Sequence, residues 1–289
     1  MPALLVMLQG LTIDAQAATT ATLPAMSCKR SDTVFTDRFD ATAWTSDPSL
    51  GSGGAVGTVT RTITVSGHAR TYYAYVPHAY TAAHPWPLLL VLHGASGSVT
   101  DSPLAAQQTL SDWAGWADSD GFIVLAAVGT QAQGGWTPSV DVPTMSADID
   151  DMTARYNIEQ NRVYLWGFSA GAHLAHALGL ENTDTFAAYG VSAGSLTQFA
   201  CTDDGSYPPS CNALLGGDSR KIPVDIHLGL DDPLYAAPYD AAHDPNRFAN
   251  NGWTSNRNLY YTTFAGGHEY TVDQLGEIWN HLCPNALVP

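Results

Sequence analysis

Residues 162–178 read RVYLWGFSAGAHLAHAL, and this stretch decides how we expect the chain to fold. Its first five residues are β-prone and its last seven favour a helix, so the G-x-S-x-G motif at 167–171 lies between a strand and a helix. The turn is too sharp for bulky neighbours, and Ser169 itself takes a strained backbone conformation. This setting predicts a nucleophile elbow. The alternative is a glycine-rich turn with an unimportant serine, unless the chain also supplies an acid, a histidine and an oxyanion hole.

Strands and helices alternate on both sides of this stretch. Two polar–apolar segments at 58–65 and 69–76, joined by a Ser-Gly turn, predict an antiparallel hairpin. Further strands are predicted at 87–92, 122–127, 162–166, 186–192, 222–228 and 259–264, and helices at 104–118, 145–156, 172–178 and 272–282. The run at 87–92 is apolar without alternation, as in a strand that is buried on both faces. The pattern predicts an α/β fold: a mostly parallel central sheet with helices on both faces and an antiparallel N-terminal hairpin.

Reactive side chains follow three of the predicted strands in the order serine, acid, histidine. A serine hydroxyl needs a base, and His268 can serve because imidazole titrates near neutral pH. The acid would accept the other ring N–H and fix the tautomer. Two adjacent aspartates, Asp231 and Asp232, could be that acid. We favour Asp232 because Pro233 would rigidify the turn after it, which makes Ser169, Asp232 and His268 the predicted catalytic residues.

An oxyanion hole requires two backbone N–H groups that point to the developing alkoxide. The N–H of Ala170 follows the nucleophile at the start of the helix, and that of Ala95 lies in the loop after the first central strand. In the same loop, His93 is expected to be a structural residue rather than a second base.

Three aromatic residues are predicted to lie near this site and to contact the substrate. Trp136 lies in a loop beyond the strand at 122–127, while Tyr235 and Tyr270 are close in sequence to the acid and to the histidine. For Trp136, packing against the fold is an equally good interpretation.

Two groups of residues could suggest a metal, but we expect neither a metal nor a cofactor. Asp148, Asp150 and Asp151 are expected at the start of a helix, where carboxylates complement the helix dipole. His173 and His176 lie three residues apart on the helix after Ser169, and we interpret them as a packed pair.

The composition indicates a globular protein with a sizeable core. The chain has 289 residues, of which 45% are hydrophobic and 13% charged, and its formal net charge is −16. Lysine occurs only at Lys29 and Lys221. Nucleic acid and anionic membranes attract basic patches, so neither is an expected partner. A neutral, cationic or polymeric substrate is expected instead; no oligomeric state is predicted.

The N-terminus and the cysteines favour export. An apolar run followed by Ala-Gln-Ala predicts a signal peptide at 1–17, followed by an extension at 18–57 and a catalytic domain at 58–289. No later apolar run is long enough to span a membrane. We therefore expect secretion to the extracellular space or the periplasm. Four cysteines allow three connectivities, and their spacing favours Cys201–Cys211 and Cys28–Cys283.

Several motifs together resemble the polyhydroxybutyrate-depolymerase-type esterase family, whose relatives include feruloyl and acetylxylan esterases. They are His-Gly at 93–94, Arg-Val-Tyr before G-x-S-x-G, G-x-x-Asp-Pro at 229–233, and Gly-Gly-His at 266–268 followed by Ile-Trp at 278–279. The resemblance covers about residues 70–282. The resemblance implies an α/β-hydrolase fold. It also implies a secreted serine carboxylesterase that works through an acyl-enzyme and hydrolyses a small or polymeric ester. The alternative is a catalytically silent hydrolase fold that binds polymer or carbohydrate.

Overall fold

The strands of the structure are β1 (Gly57–Val65), β2 (His68–Val76), β3 (Trp86–Leu92), β4 (Ile123–Ala126), β5 (Ile158–Phe168), β6 (Ala188–Ser192), β7 (Val224–Gly229) and β8 (Leu259–Phe264). This computed structural model describes residues 46–201, 211–217 and 220–287. The strands form one sheet in the order β1-β2-β4-β3-β5-β6-β7-β8. The β1–β2 and β2–β4 pairs are antiparallel, and the other pairs are parallel. The predicted mostly parallel sheet with an antiparallel N-terminal hairpin is confirmed.

Helices cover both faces of this sheet. They are α1 (Ser102–Asp120), α2 (Pro138–Arg155), α3 (Ala170–Glu181), α4 (Asn212–Leu215), α5 (Asp244–Asn250) and α6 (Val272–Leu282), and a short 3-10 helix spans Ala241–His243. Residues of α2 and α3 belong to the core cluster on one face, and residues of α1 and α6 to the cluster on the other. This arrangement is the α/β-hydrolase fold.

Strand β3 explains why the predicted central strand is apolar on both faces. All seven of its residues are buried. Leu88, Leu90 and Leu92 pack on the α2–α3 side, whereas Leu89 and Val91 pack on the α1–α6 side. Each fully buried leucine or valine contributes about 1.5–3 kcal/mol, so this strand anchors both layers.

Helix α2 begins earlier than the sequence pattern suggested. It starts at Pro138 rather than at Met145, because proline is favoured in the first turn of a helix. The Asp141 carboxylate supports this start, since its Oδ2 accepts the N–H groups of Thr137 at 2.6 Å and Thr130 at 3.2 Å. The sequence Thr-Pro at 137–138 carried this signal.

The expectation that Asp148, Asp150 and Asp151 lie at a helix start is therefore wrong. All three lie in the second half of α2, where the N-terminal end of the helix dipole is remote. Asp151 forms an ion pair with Arg61, at 2.9 Å, and accepts the Tyr72 hydroxyl. Asp148 instead faces the interior.

Strand β5 is also longer than predicted, because the chain before β1 pairs with its first residues. Pro48 forms an isolated antiparallel bridge with Glu159, and the Ser49 N–H donates to the Ile158 carbonyl at 2.8 Å. The described end of the predicted extension thus lies against the sheet.

One of the two predicted disulfides is confirmed. Cys201 and Cys211 are bonded, with their Cα atoms 4.7 Å apart. Cys28 lies outside the described residues, as do the predicted signal peptide and residues 18–45 of the extension.

None of the helices in the described ranges is long and apolar enough to cross a membrane.

Asp148 is buried without compensation. Neither of its carboxylate oxygens has a hydrogen-bond partner within residues 46–201, 211–217 and 220–287. Burial raises the pKa of Asp148 from its ordinary value of 3.8 to about 7, and the nearby Asp151 carboxylate adds to this shift. The folded protein therefore binds the proton of the Asp148 carboxyl group more tightly than the unfolded chain does. The free energy of unfolding decreases as this proton is lost, between about pH 4 and just above pH 7.

Asparagine has no proton to lose, so the free energy of unfolding of Asp148→Asn should not decrease in this way. We expect the difference in unfolding free energy between Asp148→Asn and the unsubstituted protein to grow in favour of the variant by up to about 4 kcal/mol between about pH 4 and about pH 8. Urea unfolding at both pH values measures this difference. Asp150→Asn is the matched control, since Asp150 is exposed on the same helix. If the free energy of unfolding depends on pH in the same way in both variants, burial does not raise the pKa of Asp148.

Candidate active site

Ser169 lies at the tip of a strained turn between β5 and α3. Its φ and ψ are 53° and −118°, a conformation that a residue with a side chain rarely adopts. Hydrogen bonds hold it there: the Ser169 N–H donates to the Ser192 carbonyl at 3.0 Å, and the His173 N–H donates to the Ser169 carbonyl at 3.0 Å. The predicted strand–turn–helix is thus present, with the serine at its apex.

The glycines of this turn are required by close approach of the backbone. A Cβ atom on Gly167 would lie 2.3 Å from the Gly171 carbonyl oxygen. A Cβ atom on Gly171 would lie 2.2 Å from the Leu92 carbonyl oxygen and 2.7 Å from that of His93. The start of α3 therefore sits directly against the end of β3, which brings Ser169 next to the loop that follows β3.

A hydrogen-bonded chain joins the serine, the histidine and one aspartate. His268 Nε2 lies 2.7 Å from Ser169 Oγ, and His268 Nδ1 lies 3.0 Å from Asp232 Oδ2 and 3.1 Å from Oδ1. The Asp232 side chain is fully buried, and its Oδ1 also accepts the Leu234 N–H at 2.7 Å. The carboxylate thus accepts from two donors, the histidine ring and the Leu234 N–H. The contact with Leu234 was not apparent in the sequence.

The two adjacent aspartates, either of which the sequence allowed as the acid, lie in different surroundings. Asp231 is exposed, and its backbone N–H donates to the Gly266 carbonyl at 2.9 Å. This bond ties the acid loop to the histidine loop. A Cβ atom on Gly229 would lie 2.2 Å from the Gly267 carbonyl oxygen, so the two loops pack without space between them. Asp232, not Asp231, reaches His268.

The two N–H groups predicted for the oxyanion hole come from the turn that carries Ser169 and from the loop after β3. Ala170 is the first residue of α3, and Ala95 follows β3, against which α3 packs. Neither N–H donates to an acceptor among the residues that the structure describes. The hydrogen bonds of the described fold therefore use neither group.

His93 is buried beneath this loop and is a structural residue. Burial lowers its pKa, so the ring is neutral at neutral pH. Both ring nitrogens contact backbone groups and not Ser169.

The three predicted substrate-contact residues lie in different surroundings. Trp136 is buried, with its ring against that of His93. The Tyr270 hydroxyl donates to Asp112 Oδ2 at 2.6 Å, and its ring packs edge-on against Phe168. Tyr235 is half-buried in a small apolar cluster beside the acid loop. Trp136 and Tyr270 are thus held by protein groups.

His173 and His176 are packed into the fold separately. His173 Nδ1 accepts the Ser195 N–H at 2.9 Å, whereas His176 Nδ1 lies 3.1 Å from the Tyr189 hydroxyl. Burial lowers the pKa of His176 to about 3. No group of three or more His, Cys, Asp or Glu residues in the described chain is arranged to hold a metal ion.

The chain thus has an α/β-hydrolase fold, with the strand–turn–helix of a nucleophile elbow. In keeping with it, the BD-FAE family model matches residues 137–200, which contain the turn and the helix after it. The chain is 33% identical over 130 residues to a bifunctional acetylxylan esterase/xylanase of Neocallimastix patriciarum, over 44% of this chain and 18% of that protein. It is 29% identical over 190 residues to a poly(3-hydroxybutyrate) depolymerase of Ralstonia pickettii, over 56% of this chain and 38% of that protein.

Among solved structures, a ferulic acid esterase superposes with a TM-score of 0.59 at 16% identity, covering 78% of this chain and 97% of the other. These findings confirm the resemblance to polyhydroxybutyrate-depolymerase-type, feruloyl and acetylxylan esterases. The chain spans less than two fifths of the length of the two curated relatives named above.

We expect Gly171→Ala to destabilise the protein by about 3 kcal/mol or more, because the added methyl group would overlap the backbone of β3. Chemical denaturation measures this loss. Gly115→Ala is the control: Gly115 lies in α1, and apart from its chain neighbours and the backbone of its own helix nothing lies within 4 Å of the added Cβ. It should stabilise by about 0.5–1 kcal/mol. A Gly171→Ala protein as stable as Gly115→Ala would contradict the close contact.

Proposed function

We propose that this protein is a serine carboxylesterase that works through an acyl-enzyme, with Ser169 as nucleophile, His268 as general base and acid, and Asp232 as the residue that orients His268. The observation that carries the proposal is the 2.7 Å contact between His268 Nε2 and Ser169 Oγ, together with the buried Asp232 on the other ring nitrogen. A serine hydroxyl is a weak nucleophile, and such a contact is what activates it.

In the first half of the reaction, Ser169 Oγ attacks the ester carbonyl carbon while its proton passes to His268 Nε2. Asp232 stabilises the imidazolium that forms and keeps the proton of the other nitrogen on Nδ1. The carbonyl oxygen becomes an oxyanion, which the N–H groups of Ala95 and Ala170 stabilise. The bond to the leaving alcohol then breaks, and His268 returns the proton to that alcohol.

In the second half, water replaces the alcohol. His268 takes a proton from the water, the hydroxide attacks the acyl carbon, and the same two N–H groups stabilise the second oxyanion. Collapse of this intermediate releases the carboxylic acid, and the proton returns to Ser169 Oγ. The steps use only protein groups and water.

We further propose short-chain, hydroxyalkanoate or plant-cell-wall-type esters as substrates. The relatives named above support these classes, since they are an acetylxylan esterase, a polyhydroxybutyrate depolymerase and a ferulic acid esterase. The net charge of −16 favours neutral or cationic substrates over anionic ones. Comparing acetylated xylan, methyl ferulate and a short-chain polyhydroxyalkanoate as substrates ranks the three classes.

Secretion is part of the proposal. The Cys201–Cys211 disulfide supports it, because disulfides persist in oxidising compartments. The proposed organisation remains a signal peptide at 1–17, an extension at 18–57 and a catalytic domain at 58–289.

We expect the unsubstituted protein to hydrolyse p-nitrophenyl acetate and butyrate, and Ser169→Ala to lower kcat by about 10³-fold or more. Release of p-nitrophenol measures the rate. Ser146→Ala, on the exposed side of α2, is the control and should keep full activity. A Ser169→Ala protein with unchanged activity would refute the assignment. A folded, unsubstituted protein that neither hydrolyses these esters nor reacts with a fluorophosphonate would favour the catalytically silent alternative.

The acid is tested by two neighbouring substitutions. We expect Asp232→Asn to lower kcat by about 10⁴-fold, because an amide at this position would favour the wrong histidine tautomer. Asp231→Asn should stay within about twofold of the unsubstituted rate, since the Asp231 side chain is exposed and makes no contact with His268. The same p-nitrophenyl assay measures both. A large loss only in Asp231→Asn would reverse the assignment.

A further inference from the structure

We propose that Trp136 and His93 are positioning residues that fix the direction of the Ala95 N–H. Trp136 would then act through the loop after β3 and not by contact with the substrate. This inference rests on the proposed function, because it concerns the oxyanion hole of the same reaction. Its evidence is a set of contacts between the loop after β3 and the loop at 127–137, which follows β4.

His93 connects the two loops through both ring nitrogens. Its Nε2 lies 3.0 Å from the Gly129 N–H, and because that group can only donate, Nε2 must be the unprotonated nitrogen. The proton is therefore on Nδ1, which donates to the Gly94 carbonyl at 2.7 Å. Burial lowers the pKa of His93 and keeps the ring neutral, and these two hydrogen bonds select the tautomer.

Trp136 holds the same residue from the other side. Its Nε1–H donates to the His93 carbonyl at 3.0 Å, and its ring centroid lies 4.6 Å from that of the imidazole. The Trp136 side chain is only 3% exposed, so the indole has little surface left for a substrate. His93, the residue before Gly94 and Ala95, is thus hydrogen-bonded through both its side chain and its carbonyl group.

The residues after Ala95 are bonded to the same second loop. The Ser96 N–H donates to the Gly134 carbonyl at 3.1 Å, and the Val99 N–H donates to the Ala132 carbonyl at 3.1 Å. A Cβ atom on Gly134 would lie 2.0 Å from Ser96 Oγ, so the loops are in close contact. Ala95 therefore lies between two fixed points, His93 and Ser96.

The second loop is itself attached to α2. The Asp141 carboxylate accepts the N–H groups of Thr130 and Thr137, at the two ends of the segment that contains Trp136. This segment can therefore act as a rigid support rather than as a mobile surface loop.

Rigid support matters because an oxyanion hole works by preorganisation: its N–H groups must already point to the place where charge develops. An error of about 1 Å in such a group can cost up to about 100-fold in rate. The change Trp136→Phe keeps an aromatic ring, but it removes the indole N–H and part of the buried ring system, which loosens the His93 carbonyl. We therefore expect Trp136→Phe to lower kcat/KM for p-nitrophenyl acetate by about 5- to 20-fold, and to weaken binding of phenylboronic acid, an analogue of the tetrahedral intermediate, by a similar factor.

Trp253→Phe is the matched control. Trp253 is 5% exposed, and its Nε1–H donates to the Ile222 carbonyl at 2.7 Å, before β7 and at the opposite edge of the sheet. Both substitutions remove one buried indole N–H bond to a carbonyl. Both should lower Tm by similar amounts, but only Trp136→Phe should change kcat/KM and boronate affinity.

Two results would overturn the inference. One is a folded Trp136→Phe protein with the kcat/KM of Trp253→Phe. The other is a fall in kcat/KM with unchanged boronate affinity, which would indicate a substrate contact. If Trp136→Phe does not fold, His93→Gln and His93→Ala replace it: glutamine can still accept the Gly129 N–H, so His93→Gln should keep more kcat/KM than His93→Ala, and equal values would overturn the inference.

A different set of results is expected if the protein is not a serine carboxylesterase. In that case Ser169→Ala would keep the activity of the unsubstituted protein, or no activity would be present in any variant. If Ser169→Ala is inactive while Trp136→Phe is unaffected, only the positioning role falls.

Discussion

The close contact between the start of α3 and the end of β3 is the constraint on which the site depends. Gly171 sits against the carbonyl groups of Leu92 and His93 at distances that exclude any side chain. This contact places the strained Ser169 beside the loop after β3, so the nucleophile and the Ala95 N–H come from neighbouring strands. The strain of the serine backbone, about 1–3 kcal/mol for such conformations, is sustained because β3 is buried on both faces and cannot move away.

A second close contact brings the acid to the histidine. Gly229 ends β7 against the carbonyl groups of Gly266 and Gly267, and this leaves Asp232 buried and facing the His268 ring. Packing on the other side of the histidine is aromatic, since Phe168 lies 5.3 Å from the imidazole and Tyr270 lies behind it. The close approach of Gly229 therefore sets the distance between the acid loop and the histidine loop, and the rings of Phe168 and Tyr270 pack beside His268.

Much of this arrangement could be predicted from the sequence, because it depends on local patterns. The order of strands and helices followed from hydrophobic patterning, and the positions of Ser169, Asp232 and His268 followed from motifs at strand ends. The two errors in element bounds have different causes. Helix α2 starts at Pro138, and the local signals for this start, Thr-Pro at 137–138 and Asp141 in the first turn, were missed. Strand β5 starts at Ile158 because the distant Pro48 pairs beside it, and no local pattern shows such a contact. For Trp136 the sequence left substrate contact and packing as equal alternatives, since no local pattern shows which loop covers another; the structure shows the ring packed against His93.

The loops at this edge of the sheet are connected in pairs. The loop after β3 is bonded to the one after β4, and the Asp231 N–H joins the acid loop to the histidine loop. Ser195 Oγ likewise donates to the Tyr239 carbonyl at 2.7 Å, which joins the segment after β6 to the one after β7. The exchangeable unit for engineering specificity is therefore a pair of loops. A graft that transplants one member alone would leave its partner with unmatched hydrogen-bonding groups, whereas a graft of both would carry its own support.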